Sequence, residues 1–329
     1  MTLLTFRSFI KVKFYTSLFF LFFFIKASIL LGQDKITLSG YISDIENNET
    51  LIGVSIIFPE LKYGTITNEY GFYSLTLPKG SYQLQISYLG FENQTLELQL
   101  NKDLIQNFKL IPQAEVLDEV IVEENVELLN IKSPQMSVNK LSVNTIKKIP
   151  AALGEVDIIK SITLLPGVTN AGEGASGFNV RGGGADQNLI LLDEAIIFNS
   201  SHLFGFFSVF NPDAIKDIRL FKGGIPSSYG GRASSVLNIY QNEGNRNNFE
   251  SQGGIGLISS RILLEGPLKK EKSSFLIGGR SSYAHLFLPL VESIENNKAY
   301  FYDLNTKLSY TLNESNNFYL SGYFGRDVF

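Results

Sequence analysis

The chain has 329 residues, a formal net charge of −4, 44% hydrophobic and 12% aromatic residues, and no cysteine. That length allows two or three domains. Without cysteine there are no disulfides, thiolate metal sites or lipidated N-terminal cysteine, and mild acidity without a basic stripe argues against nucleic acid as a partner.

Arg7, Lys11 and Lys13 precede an apolar run over residues 14–25 that Lys26 closes. A cationic start and an apolar core of about 7–15 residues describe a secretory signal peptide. Gly32 before Gln33 is the expected cleavage point, so residues 1–32 are read as the signal. A spanning helix wants about 20 apolar residues. The alternative is an uncleaved inner-membrane anchor extended through Ile29, Leu30 and Leu31.

Residues 33–112 show short β-prone runs at regular spacing, with turn signals at Asn47-Asn48 and Pro78-Lys79-Gly80. Tyr82, Leu84, Ile86 and Tyr88 share one face of a strand whose other face is mostly polar. Such spacing predicts an antiparallel, transthyretin/Ig-like β-sandwich of roughly 75 residues. Thr67-Asn68-Glu69-Tyr70-Gly71-Phe72-Tyr73 and Leu77-Pro78-Lys79-Gly80-Ser81-Tyr82 resemble the carboxypeptidase-regulatory-like domain. That name does not imply peptidase activity. The chain has two histidines, His202 and His285, and no His-x-x-Glu pair. Neither a catalytic residue nor a metal site is expected.

A linker-like stretch follows over 113–139. Within it Leu117, Asp118, Glu119, Val120, Ile121 and Val122 form a β-prone hexamer flanked by acids. An extended segment with Val120, Ile121 and Val122 can add to the edge of a partner's sheet through main-chain hydrogen bonds. The alternative is that these residues form the last strand of the sandwich. Residues 141–165 read as a packing helix, with Leu153, Val156, Ile159, Ile162 and Leu165 recurring at threes and Pro166-Gly167 ending it.

Gly172-Glu173-Gly174-Ala175-Ser176-Gly177 matches G-x-G-x-x-G, with Asp193 following 21 residues after the first glycine. A dinucleotide site needs a strand entering and a helix leaving. Here a Pro-Gly turn enters and Phe178-Asn179-Val180-Arg181 leaves as an extended run, so nucleotide binding is rejected.

Two apolar strand-like runs, 189–192 and 215–221, alternate with glycine-rich turns at Gly182-Gly183-Gly184, Gly223-Gly224 and Gly230-Gly231. The order of these motifs over residues 157–242 resembles the plug domain of TonB-dependent outer-membrane receptors. The resemblance makes the hexamer at 117–122 similar to the family's energy-coupling box. It also implies plug-motif and barrel-contact roles for Arg181, Gly182, Asp193, Lys222, Gly230, Gly231 and Arg232. Arg181 heads that set, because a guanidinium keeps its charge and offers five donors in a planar fork, suiting a desolvated carboxylate pair. Asp193 stands where the family usually reads Asp-Gly, and Glu194 follows it here. His202, beside an aromatic-rich run, is read as a hydrogen-bonded structural histidine.

From Glu250 onward, Leu308, Tyr310 and Leu312 alternate with Lys307, Ser309 and Thr311, and Phe318, Leu320 and Phe324 with Tyr319, Ser321 and Tyr323. Residues 254–265 and 274–283 alternate less clearly. Segments of about 10 residues, apolar outward and polar inward, are the signature of a transmembrane β-barrel; a soluble sandwich would show the same alternation, and it is the place of these strands after the plug-like region that favours the barrel. The 80 residues from Glu250 leave room for about four strands, whereas plugged barrels have about 22, so the chain reads as a fragment.

The fold class is therefore mainly β: a sandwich (33–112), a linker (113–139), a mixed α/β plug domain (140–244) and the first strands of a barrel (245–329). The resemblance implies a Gram-negative outer-membrane transporter, not an enzyme, with its N-terminal domain in the periplasm. It needs no cofactor. Its partners would be the TonB periplasmic domain, outer-membrane lipid, a small nutrient ligand and, by analogy only, a surface lipoprotein. The ligand is not readable: glycan, peptide and siderophore stay open. The alternatives are a non-transporting periplasmic or surface carbohydrate-binding module and a truncated pseudogene product. A signalling receptor would want a further N-terminal domain that nothing in residues 33–110 resembles.

Overall fold

The computed structural model describes residues 35–113, 138–141, 143–147, 149, 155–172, 177–286, 298–313 and 316–329. The expected signal peptide and Leu117, Asp118, Glu119, Val120, Ile121 and Val122 lie outside the described residues.

The first unit is the sandwich. β1 (Lys35–Asp44) buries every second residue, so Ile36, Leu38 and Ile42 point into the core. β2 (Ser55–Phe58), β3 (Tyr63–Ile66), β4 (Phe72–Pro78), β5 (Gly80–Ser87) and β6 (Gln94–Leu100) follow, then β7 (Leu104–Ile105) and β8 (Phe108–Leu110). One sheet has the order β3-β2-β5-β6; in the other, β1 is flanked by β4 on one side and β7 and β8 on the other. Leu84 and Ile86 of β5 are buried, while Tyr82 and Tyr88 pack partly buried at the margin of that core. Not all pairing is antiparallel, as the sequence had suggested. β7 and β8 run parallel to β1, because the chain crosses over from the opposite sheet before returning along β1.

The central unit is a five-stranded mixed sheet. β9 (Val138–Leu141), β12 (Asn188–Leu192), β13 (Ala195–Ile196), β16 (Ile215–Phe221) and β17 (Ser235–Gln241) stand in the order β13-β12-β17-β16-β9, with β12 and β17 parallel. Smaller pairs, β10 (Val168–Asn170) with β11 (Phe178–Val180) and β14 (Ser201–His202) with β15 (Phe207–Ser208), complete it. All five residues of β12 are buried. Its two faces serve different cores: Ile190 and Leu192 pack with Ile158, Ile159 and Ile162, and Leu189 and Leu191 with Phe221 and Val236.

The continuous helix expected over 141–165 is not there. Leu141 ends β9, α1 spans Val143–Lys147 and α2 spans Ile158–Ile162. Asp157 sets the start of α2. It is extended (φ −116°, ψ 119°) and its carboxylate caps α2 by accepting from Lys160 N at 3.0 Å. The same carboxylate accepts from Ser208 N at 2.9 Å. A short acid that satisfies two backbone donors competes with helix continuation.

The last unit is an antiparallel meander of five strands rather than about four: β18 (Glu250–Ile255), β19 (Ser259–Lys269), β20 (Ser273–Ser282), β21 (Tyr300–Asn313) and β22 (Asn316–Val328). The run expected over 254–265 divides at residues 256–258 into β18 and β19.

Candidate functional site

Period-2 geometry gives each strand of the meander two faces. On β21, Asp303, Asn305, Lys307 and Ser309 are buried against the central unit, while Leu304, Leu308, Tyr310 and Leu312 are 40–61% exposed. On β22, Phe318, Leu320 and Phe324 are 54–56% exposed, and Tyr319, Ser321 and Tyr323 are the more buried phase. This inverts a soluble sheet, in which the apolar phase is the buried one.

Arg280 on β20 anchors the polar interior. Its guanidinium donates to both Asp303 oxygens, to Glu155 Oε1 at 2.7 Å, and to the carbonyls of Ser208 (2.8 Å) and Phe210 (3.2 Å). All of its nitrogens have acceptors, as burial of an always-charged group demands. Glu155 accepts in turn from Ser259 Oγ at 2.6 Å. His202 joins the same cluster: Nδ1 lies 3.0 Å from Asp327, Nε2 lies 3.0 Å from the Tyr323 hydroxyl and 3.3 Å from Asp303. Its ring stacks on Phe301 at 4.3 Å. The central unit thus supplies Glu155, His202 and two carbonyls, and the meander supplies Arg280, Asp303, Tyr323 and Asp327. Nearby, burial raises the Asp157 carboxyl above the usual range, opposed by its hydrogen bond from Lys160 N.

The residues singled out in the sequence fall at two ends of the central sheet. At one end, Arg181 (φ 48°) and Gly182 (φ 84°) form an exposed turn, Arg181 N donating to Gly167 O at 2.9 Å. Lys222 Nζ donates to the adjacent Pro166 O at 2.8 Å. Gly230, Gly231 and Arg232 lie in a second exposed segment, just before β17, where Arg232 Nη1 donates to Gly231 O at 3.0 Å. Among the described residues Arg181 has no carboxylate partner. A buried guanidinium between two carboxylates is found at Arg280.

At the other end, Asp193 and Glu194 make the two-residue turn between β12 and β13, both with positive φ (46° and 69°). A hairpin turn of the I′ type needs such angles at both positions, which is why Asp-Gly usually fills it. The turn forms here despite Glu194. Asp193 accepts from Gln241 N and Nε2 at 3.0 Å each, and Lys307 Nζ on β21 lies 3.0 Å away. The signal for the missed cluster was partly visible, since the polar phase of β21 alternates cleanly. Arg280 was hidden because its own phase also holds Ser274, Leu276, Gly278 and Ser282.

A groove of about 670 Å³ opens beside Asp193, where sandwich, central sheet and β22 meet. Tyr41, Tyr70, Tyr240 and Tyr319 line it together with Lys216 and Lys307.

Comparison with known proteins gives two domain matches. Residues 38–122 match the CarboxypepD_reg-like domain, and residues 132–236 match the TonB-dependent Receptor Plug Domain. No curated protein matches the chain. Among solved structures, the siderophore receptor PirA from Pseudomonas aeruginosa is 20% identical with a TM-score of 0.42, over 58% of this chain and 36% of that one. The siderophore receptor PirA from Acinetobacter baumannii is 20% identical with a TM-score of 0.44, over 61% of this chain and 32% of that one. The chain spans about a third of the length of these receptors.

Proposed function

We propose that this chain, a carboxypeptidase-regulatory-like domain followed by a TonB-dependent receptor plug domain, works in an outer-membrane receptor that imports a small nutrient ligand with energy coupled from the inner membrane. The observation that carries the reading is the sidedness of β21 and β22. An exposed apolar phase outside a buried polar interior suits strands with lipid on one face and a plug on the other. In water, so many exposed large apolar side chains would be an aggregation liability. No helix among the described residues is long and apolar enough to cross a membrane, and the strands need none.

The sandwich end supports a periplasmic placement. Arg246, whose backbone N donates to the sandwich's Asn47 O at 2.9 Å, also accepts at its carbonyl from Glu271 N in the β19–β20 turn and reaches Thr311 near the β21–β22 turn. Short turns lie on the periplasmic side of such barrels, and longer loops outside; the β20–β21 connection at the other end is the longest of the meander.

Leu117, Asp118, Glu119, Val120, Ile121 and Val122 are the coupling segment in this reading, captured as an added strand by the TonB periplasmic domain. Arg181 and Arg232 hold the far end of the plug to the barrel wall. The test of coupling is binding of purified TonB periplasmic domain to the solubilised receptor. Val120→Pro removes a backbone donor from the added strand and is expected to abolish the interaction; undiminished binding would remove the segment from the mechanism.

A further inference from the structure

The loop joining β1 to β2 does more than turn the chain. Glu49 Oε1 accepts from Glu243 N at 2.6 Å and lies 3.3 Å from Lys216 Nζ. The Thr50 hydroxyl donates to the Glu243 carboxylate, which also holds Lys216 at 3.1 Å and Arg246 at 2.8 Å. Asn48 Nδ2 donates to Asn247 Oδ1 at 2.9 Å, and Asn247 Nδ2 to Glu46 O at 2.5 Å. A second foothold lies across the groove, where the Tyr70 hydroxyl donates to Glu194, and the Tyr70 ring stacks on Tyr319 of β22 at 5.8 Å.

The point of attachment is itself immobilised. Glu243 O accepts from the hydroxyls of Ser274 on β20 (2.7 Å) and Ser309 on β21 (3.1 Å). Gly244 has φ 86°, and a Cβ there would lie 2.4 Å from Phe275 O, so the backbone is pressed against β20. The chain then enters β18 within a few residues. Burial alone would raise the Glu243 carboxyl. Lys216 first, then Arg246, Thr50 and Lys307, outweigh it and hold it down to about 2, so the junction stays charged at any physiological pH.

We infer that the N-terminal sandwich is a fixed bracket, docked through Glu49 and Thr50 onto the Glu243 corner of the plug and onto the rim of the strands, and that it stays docked while the plug works. A lid that parts on each cycle would be held by exposed, separable contacts; here Thr50 of the sandwich and its partner Glu243 are 5% and 3% exposed. The inference rests on the coupling reading for its consequence. The linker is strung between the sandwich, where Gln113 N is tied to Gly90 O at 2.9 Å, and edge strand β9, which pairs with β16 over four residues. With the sandwich end held, a pull on the linker is taken up at the plug end.

The chain has no cysteine, so N48C with N247C creates a single thiol pair. In cells carrying the receptor in the outer membrane, a short bismaleimide is expected to cross-link that pair to the same yield with the proton gradient intact or collapsed by a protonophore. Adding E49Q and T50V removes the Glu49 charge facing Lys216 and the Thr50 hydroxyl on Glu243, the sandwich's side-chain hold on that corner, and is expected to lower the yield by about tenfold or more. A yield that falls only in energised cells would show that the sandwich swings away, and would overturn the bracket. No cross-link in either state, or a yield indifferent to E49Q and T50V, would overturn it as well. TonB-domain binding is measured separately on the same receptor, so a failure of coupling and a failure of docking give different results.

Discussion

Arg280→Met is the sharpest perturbation the structure offers. Methionine fills similar space but strands two carboxylates, Glu155 and Asp303, in a site where both are almost fully buried, and it frees the Ser208 and Phe210 carbonyls. Removing one partner from a buried ion network costs about 3–5 kcal/mol, mostly the penalty of leaving charge unpaired. The loss should be local, because Arg280 is what ties β20 to the segments around Glu155 and Ser208. Amide hydrogen exchange reads it directly. Ser161 N, bonded to Asp157 O, and Val209 N, bonded to Ser200 O, are expected to exchange on the order of a hundred- to a few thousandfold faster in the variant. Amides in the sandwich, such as Thr67 N, should not change. Adding Glu155→Gln and Asp303→Asn removes the stranded charges and should recover most of the protection. Acceleration below about tenfold at Ser161 and Val209 would refute the claim that this cluster holds the plug to the strands.

Three further outcomes are expected. Glu194→Gly removes the strain of a left-handed non-glycine residue, worth about 1 kcal/mol, and should slow local opening at β12–β13 while deleting the hydroxyl contact from Tyr70; faster opening by hydrogen exchange would contradict this. Glu243 has its folded pKa depressed from 4.5 to about 2, so its contribution is fully present above pH about 4.5 and is lost as pH falls toward 2. Linkage sets it on the order of 3 kcal/mol, and the Glu243 amide, which donates to Glu49, should stay protected from hydrogen exchange at pH 5 and lose protection in that acid window; loss of protection above pH 5 would be inconsistent with it. Leu308→Arg places a charge on the outward phase of β21 and should cost about 2–4 kcal/mol of membrane stability if the residue lies near the bilayer midplane. Loss of heat-modifiable, membrane-integrated receptor reports it, and normal integration would argue against a lipid-facing strand.

What the sequence revealed, and what it hid, follows from the range of each interaction. The runs at 189–192 and 215–221 read as strands and are β12 and β16; β12 is buried along its whole length and leaves an unbroken apolar signal, whereas in β16 Ile215, Ile218, Leu220 and Phe221 carry it past three charged residues. The alternation on β21 was plain over residues 307–312, where inward polar and outward apolar residues differ in kind. The stretch 141–165 misled because its apolar threes suit several short elements packing on one core; the Asp157 cap that starts α2 draws half its role from Ser208, distant in sequence. Arg181 and Arg280 illustrate the same limit. Both are arginines beside glycine and small residues, and only the tertiary placement of Glu155 and Asp303 makes one of them the caged cation. The turn at Asp193 and Glu194 shows tertiary contacts overriding a local preference, with Lys307 and Gln241 holding Asp193 in place and Tyr70 engaging Glu194.

The central claim is that β18–β22 face lipid on one side and a plug on the other. The most direct test places single nitroxide labels along β21 and β22 of the receptor in outer membranes and measures relaxation by oxygen and by a water-soluble nickel chelate. Labels at Leu304, Leu308 and Leu320 are expected to respond strongly to oxygen and weakly to nickel, with a label at Asn305 shielded from both. If the outward positions meet nickel as freely as a label at Lys270 in the β19–β20 turn, the strands lie in water and the membrane account fails.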